Sequence, residues 1–368
     1  MSERVSSGQP GRGVKRIKPR PLVSSTFLRS TPSQAGGGRS REALVDLARK
    51  SITKGSKSFA AASMLFDKRT RERVHLLYAW CRRCDDIADG QDHGGALSGD
   101  ERLAKDRIEA IRILTRRALD GQPTADVAFD ALGMVAAEVG LTQEMADDVI
   151  DGFALDAAGW RPRTEADMMR YCYHVAGAVG VMMARVMGVP RDDHETLDRA
   201  CDLGLAFQLN NIARDIAEDD AAGRCYLPVE WLVEKDIPPG EHMKPRYRDE
   251  LVELVRRLLD MAEQHEAAAR VGATRLKFRQ RWAVLAAANI YGAIGREVRQ
   301  QRELAWDHRA RTNILEKLAF TSRAGVEAMK GAYEPNPWPK WTRGELMIMA
   351  RMHQPPAPIP MTPLPDEE

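Results

Sequence analysis

Apolar residues recur at helical spacing from Ser40 onward and keep that spacing for roughly 290 residues, with proline confined to points that read as turns: Pro123, Pro162, Pro190, Pro228, Pro238 and Pro239. No strand-like alternation of useful length interrupts the pattern, and neither a repeat period nor a glycine-rich dinucleotide fingerprint appears. The pattern predicts an all-α, single-domain helical bundle over 41–333. Its long members include a helix that contains Gln208 and ends near Gly223, an apolar helix over Met168–Gly188, and two amphipathic helices between Asp249 and Glu303. Residues 1–40, rich in Arg, Ser, Pro and Gly, read as a disordered basic N-terminal tail, and 334–368 as a Pro-rich C-terminal tail. The N-terminal composition equally fits an organelle transit peptide, a basic arm that touches anionic lipid, or a start codon placed too early.

Composition supports the helical reading: aromatics are 6 % of residues, whereas Ala, Leu, Met and Arg abound. The formal charge of +2 conceals an asymmetry. Residues 1–41 hold nine Lys or Arg against one acid, about +8, which leaves the rest near −6 by difference. A mildly acidic folded part argues against a nucleic-acid partner. Five cysteines in apparent helices, without framework spacing, fit a reducing compartment, and the pair Cys81 and Cys84 reads as core packing. The most apolar run, Val175–Pro190, is interrupted by Arg185 and falls short of the ~18 to 20 residues of a spanning helix. A soluble or peripheral protein is predicted.

Chemistry concentrates in QLNNIARDIAEDDAAGRCYLP, Gln208 to Pro228. On a helix, Gln208, Asn211, Arg214, Asp215, Glu218 and Asp219 share one broad face. Oxygen ligands so spaced suit Mg2+, which takes few carboxylates, keeps waters and completes its shell with substrate phosphate; Arg214 beside them would answer phosphate oxygens. A solvated helix face is the plain alternative. Against it stand the two amides and the apolar neighbours Leu203, Leu205, Phe207 and Ile212. A second cluster lies in YAWCRRCDDIADGQD, Tyr78 to Asp92, where Asp85 and Asp89 are one turn apart with Asp86 alongside and Arg82 one turn before it.

Other features are weaker. Ser56, Lys57 and Ser58 at a helix entrance could meet an anion or merely cap. Asp147, Asp148 and Asp151 spell D-D-x-x-D, but without adjoining Arg, Asn or Gln they read as a helix end with solvated acids; Asp156, in apolar surroundings, is harder to dismiss. Ala176, Gly180 and Ala184 form a small-residue stripe that admits a neighbouring helix or a slim ligand, and His174 reads as a core histidine. Arg309, Arg311 and Lys317 are candidate anion contacts. Two acid clusters with cations nearby, in a bundle lined by Ala, Gly, Met and Leu, fit ionisation of a prenyl diphosphate in a dry cavity.

YAWCRRCDDIAD and QLNNIARDIAEDDAAGRCYLP, with SKSF at Ser56–Phe59 and YCYHVAGAVG, resemble the signature regions of the squalene/phytoene synthase family, and similarity spans about residues 42–320. The resemblance implies an isoprenoid-synthase bundle with a central cavity. Its implied reaction is head-to-head condensation of two geranylgeranyl diphosphates through prephytoene diphosphate to phytoene in carotenoid biosynthesis, with Mg2+ or Mn2+ and no nicotinamide cofactor. Asp85, Asp89, Asp215 and Asp219, joined by Asn211, would hold the metal, with Asp86 and Glu218 secondary. Arg82, Arg214, Lys57 and Arg309 would bind diphosphate; Ser56, Phe59 and Gly180 would also meet substrate. Tyr78, Tyr171, Gln208 and Tyr291 would line the cavity, and Arg214 and Tyr171 would share in catalysis. At Arg309-Ala310 the chain departs from the family's Arg-Val. The alternatives are a C30 dehydrosqualene or squalene synthase and, in another class, a non-catalytic assembly factor, a reading that the intact acids oppose. A cytoplasmic enzyme peripheral to the membrane is implied, held by an apolar helix near the cavity mouth or by the basic tail; a plastid location is compatible with that tail. Other carotenoid-pathway enzymes are implied partners.

Overall fold

The computed structural model describes residues 33–55, 57–90, 101–308, 310, 312–331 and 338–352, and among them every regular element is helical. The main helices are α1 (Arg41–Gly55), α2 (Lys57–Ser63), α3 (Lys68–Ala88), α4 (Glu101–Leu119), α5 (Val127–Val139), α6 (Gln143–Ala157) and α7 (Glu165–Cys172). They continue as α8 (Ala178–Val186), α9 (His194–Ala221), α10 (Val229–Glu234), α11 (Arg248–Ala273), α12 (Phe278–Gln301), α13 (Ile314–Glu327) and α14 (Arg343–Met352).

Capping chemistry sets the two helices that matter most. Asp67 accepts from the Thr70 amide at 3.0 Å to start α3, and Asp193 accepts from the Thr196 amide at 3.2 Å to start α9. Helix α9 ends at Ala221, and Gly223 follows in the left-handed region at φ 71°, a conformation glycine adopts without strain. Helix α9 is the axis: α8, α11 and α12 pack around it, while α3 packs on α1, α4 and α5. The core on the α3 side centres on Trp80, fully buried with its indole N–H donating to the Thr115 hydroxyl at 3.2 Å, and on Phe129, Leu132 and Ile150.

Helices α8 and α9 approach closely because they meet at glycines. A Cβ at Gly180 would lie 2.3 Å from the Ala200 carbonyl oxygen, and one at Gly204 would lie 2.2 Å from that of Ala176. The small-residue stripe is therefore first a helix crossing.

Four sequence expectations need correction. Residues 33–40 do not belong to a disordered tail: Gly36 is buried against Met134 and Leu44, and Arg39 pairs with Asp130 at 2.8 Å. The C-terminal tail contains α14, whose Leu346 and Ala350 are buried and which packs on α7, the Tyr173–Gly177 turn and α9 and is tied down by Arg343 to Asp198 at 2.6 Å. Met168–Gly188 is not one uniform helix, since a π-helical turn at Tyr173–Gly177 separates α7 from α8. Finally, Asp147, Asp148 and Asp151 lie inside α6, not at its end. Arg112 bonds Asp151 at 2.5 Å and reaches Asp147 at 3.5 Å, and Asp148 is buried, accepting from the Tyr173 hydroxyl at 2.6 Å. Solvated acids were expected from the charge pattern; the Arg112 of α4 and the π turn enclose them instead. His174 is a core residue as predicted, its Nδ1 2.8 Å from the Asp148 carbonyl. The five cysteines are unpaired thiols. No described helix is long and apolar enough to cross a membrane.

Candidate active site

The C-terminal turn of α3 carries Asp85 and Asp86 with Asp89 as its C-cap, and the C-terminal half of α9 carries Asp215, Glu218 and Asp219. Carboxylates at helix C-termini are electrostatically unfavourable in isolation, since the carbonyl ends of the helices are there too. The structure partly offsets this with arginines. Arg82 donates to Asp85 at 2.9 Å and pairs with Asp86 at 2.6 Å; Arg214 grips Asp215 with two nitrogens, its Nε at 2.6 Å.

The two clusters converge on Arg224 and Asp156. Arg224, just beyond the end of α9, acts on Asp85, Asp156 and Asp219 together, and Asp156 feels the charge of Asp89 from the other cluster. Asp156 is held by two phenols: it accepts from Tyr171 at 3.1 Å and from Tyr226 at 2.9 Å. Trp160, Tyr171 and Tyr226 stack in succession, at 5.8 and 4.9 Å between ring centroids. Burial and the nearby Asp156 push Tyr226 up to about 12, so it stays a hydroxyl donor.

Like charges crowded in a half-buried site resist ionisation. Burial, then Asp89, hold the Asp85 carboxyl above its usual range, and burial, then Asp215, push Asp219 up to about 6. A cation placed here would relieve both, so the donor set fits a divalent ion. Among the described residues no three His, Cys, Asp or Glu side chains come close enough to form a metal site alone. An ion held by one or two carboxylates and completed by water and substrate phosphate requires no such triad.

Beside this acidic pole runs an apolar cavity of about 350 Å3. Helix α9 lines it from Thr196 to Asn211 at alternating steps of three and one, a single face roughly 22 Å long at 1.5 Å per residue. Gln208 and Asn211 mark its polar end; Phe66, Met187 and Leu276 line it further from the acids. Two aromatic pairs stand in the wall, Phe59 with Tyr78 at 5.6 Å and Phe207 with Tyr291 at 4.3 Å. Gly55 leaves room for the Tyr78 hydroxyl, which would lie 2.4 Å from a Cβ there. The faces of such rings attract a cation, and the apolar walls exclude water.

Of the residues singled out in the sequence, Phe59, Tyr78, Gly180, Gln208, Asn211 and Tyr291 line the cavity. Asp85, Asp89, Arg82, Arg214, Asp215 and Asp219 form the acidic pole. Tyr171 is a correction: it does not line the cavity but lies 3 % exposed behind the acids, because α7 aims it at Asp156. Ser56, Arg309 and Arg311 fall outside the described residues; Lys57 opens α2, and its side chain is not described. Cys81 lines the cavity, with burial pushing its thiol up to about 12, so it is an inert wall. Arg224, Tyr226 and Phe207 were not assigned roles from the sequence. The signal for the first two was their place in GRCYLP, directly after the acidic helix.

Comparisons with known proteins identify the family. The squalene/phytoene synthase family description matches residues 52–316. The chain is 45 % identical to a phytoene synthase of Pseudescherichia vulneris, over 83 % of this chain and 99 % of that protein. It is 42 % identical to a 15-cis-phytoene synthase of Pantoea ananas, over 82 % and 98 %. Among solved structures, a dehydrosqualene synthase in complex with ligand superposes with a TM-score of 0.69 at 26 % identity, covering 78 % of this chain and 96 % of that one.

Proposed function

The chain belongs to the squalene/phytoene synthase family, and on that premise we propose that it condenses two molecules of geranylgeranyl diphosphate, through prephytoene diphosphate, to phytoene with release of diphosphate. The observation that carries the reading is the pairing of two carboxylate clusters, converging on Arg224, with a long apolar cavity that opens beside them.

Asp85, Asp89, Asn211, Asp215 and Asp219 would hold Mg2+ or Mn2+. The ion, when bound, neutralises diphosphate oxygens and eases departure of the leaving group. The chain's own residues do the rest. Arg82, Arg214 and Arg224 place positive charge beside the diphosphate, with donors suited to its oxygens. Asp156 fixes Tyr171 and Tyr226 so that their rings support the acidic pole and Arg224 keeps its orientation. The cavity takes the prenyl chains and keeps water from the allylic cation, and the Phe59, Tyr78, Phe207 and Tyr291 rings offer it negative faces. Proton loss from the rearranged cation ends the reaction, so no reductant is required. The prenyl substrate and C40 product make a membrane surface the natural partner, with peripheral attachment.

Asp85→Asn and Asp215→Asn, made separately, test the site. Release of diphosphate from geranylgeranyl diphosphate is expected to fall at least about a hundredfold in each, with the melting temperature kept. Turnover within a few-fold of the parent would remove these carboxylates from the mechanism.

A further inference from the structure

Helix α13 presents its apolar side to solvent. Leu315, Leu318 and Val326, with Met329 in the turn that follows, recur at steps of three, eight and three along one side, and Leu315 is 77 % and Met329 71 % exposed. The opposite side carries Ala324 and Ala328, which are buried against α11 and α12. A helix with small residues inward and large apolar ones outward is not arranged for water alone.

The patch extends past α13. The Trp282 indole N–H donates to the Thr321 carbonyl at 2.8 Å, Trp282 packs with the half-exposed Phe278 at 6.1 Å between centroids, and Arg279 donates to the Leu65 carbonyl at 2.8 Å. That chain of contacts leads to Met64, which is 60 % exposed. Ala62, Ser63 and Phe66, on either side of it, line the central cavity, as does Val284 of α12. The same segments thus wall the cavity inside and form the apolar face outside. This is the end away from the acids, because Phe66 precedes Asp85 by nearly the whole length of α3.

Charge identifies what covers the face. Lys68, Arg69, Lys277, Arg323 and Lys330 are exposed on the same segments. The acids among them are engaged: Asp67 caps α3, Glu316 accepts from the Asn313 amide at the start of α13, and Glu327 bonds Arg270 and Arg323. Next to α13 a second cavity, of about 680 Å3, is walled by Arg270, Arg281, Arg296, Arg323 and Lys330 against one carboxylate, Glu327. Helix-end carbonyls occupy Arg281, and Glu266 and Glu327 occupy Arg270; Arg296, which reaches Glu266 at 3.7 Å, Arg323, which shares Glu327, and Lys330 stand at the exposed rim, where cations outnumber acids.

We propose that α13, with Met64 and Phe278, is the surface by which the protein lies on a bilayer of anionic phospholipid, its apolar residues entering the headgroup–acyl boundary and its rim cations meeting lipid phosphates. A face both apolar and cationic matches an in-plane amphipathic helix, whereas a second copy of the chain would bring like charges together. Resting on the reading of the product as a C40 hydrocarbon, the placement also gives that product a short apolar path from the far end of the cavity into lipid.

Flotation of the full-length protein with vesicles tests this. Phosphatidylglycerol-containing vesicles are expected to carry the protein and phosphatidylcholine-only vesicles to carry much less. The double variant Leu315→Glu, Leu318→Glu is expected to lose at least about tenfold in partition, since each leucine brings its transfer free energy to the interface. The double variant Arg323→Gln, Lys330→Gln should lose the preference for anionic lipid. Turnover of detergent-dispersed geranylgeranyl diphosphate should be unchanged in both. Undiminished flotation of both variants would overturn the proposal and move binding elsewhere on the chain, such as residues 1–40. A change in oligomeric mass with flotation intact would also overturn it and assign the face to a second copy. Vesicle binding that depends on this face in a protein without phytoene-forming activity would instead overturn the functional reading and leave the surface standing.

Discussion

The acids most visible in the sequence, Asp85, Asp89, Asp215 and Asp219, are legible because helical spacing alone puts each pair one turn apart. Their supporting shell was legible only in part: Asp156 and Tyr171 stood out, but not their pairing, and Arg224 and Tyr226 did not stand out. Asp156, Tyr171, Arg224 and Tyr226 come from α6, α7 and the loop after α9, and only folding joins them. Asp148 shows the reverse error, an acid whose charge pattern suggests solvation but which is enclosed by Tyr173 and its own helix. Burial pushes Asp148 up to about 6, above the ordinary 3.8 of a free aspartate. A carboxyl whose folded-state value is raised contributes stability that is fully present below about pH 4 and is lost as pH rises through about 6, a swing of roughly 3 kcal/mol for two units. Asp148→Asn keeps an acceptor for Tyr173 and removes the charge. Denaturant melts across that pH range should therefore show a shallower decline than the parent, by roughly 1 to 3 kcal/mol. Parallel pH profiles would mean that Asp148 ionises at no cost.

Elements were read well where amphipathic period was strong, as in α9, α11 and α12, and less well where two demands act on one stretch. The stripe Ala176, Gly180, Ala184 pointed to a helix crossing or a slim ligand; the structure shows the crossing and sets the same stripe in the cavity wall. Gly180 admits the Ala200 carbonyl, while all three residues also line the cavity. The π turn at Tyr173–Gly177 was illegible because it depends on what packs opposite, here Gly204 against Ala176 and Gly177. Gly204→Ala sets a methyl 2.2 Å from the Ala176 carbonyl oxygen, backbone that cannot move aside cheaply. It is expected to lower stability by about 1 to 3 kcal/mol or more and to reduce turnover through the displaced cavity wall. An unchanged melting temperature would show that the π turn and α9 can separate without loss.

At the scale of the whole described unit, one pole gathers carboxylates and arginines and the other offers apolar surface, with a long cavity between them. All-helical architecture and the family were legible from the chain, because helix period and two long motifs survive as local pattern. The extent of the fold was not. Residues 33–40 and α14 sit in glycine- or proline-rich sequence, and they are ordered by distant partners such as Asp130 and Asp198. The central claim, that two C20 diphosphates meet in this cavity, is tested most directly by product analysis. Purified protein is incubated with geranylgeranyl diphosphate and Mg2+, without nicotinamide cofactor, and the hydrocarbon extract is examined. Phytoene, a C40 hydrocarbon with a three-double-bond chromophore, is the result expected; hydrocarbon formed only from the C15 diphosphate, or from neither substrate, would contradict it.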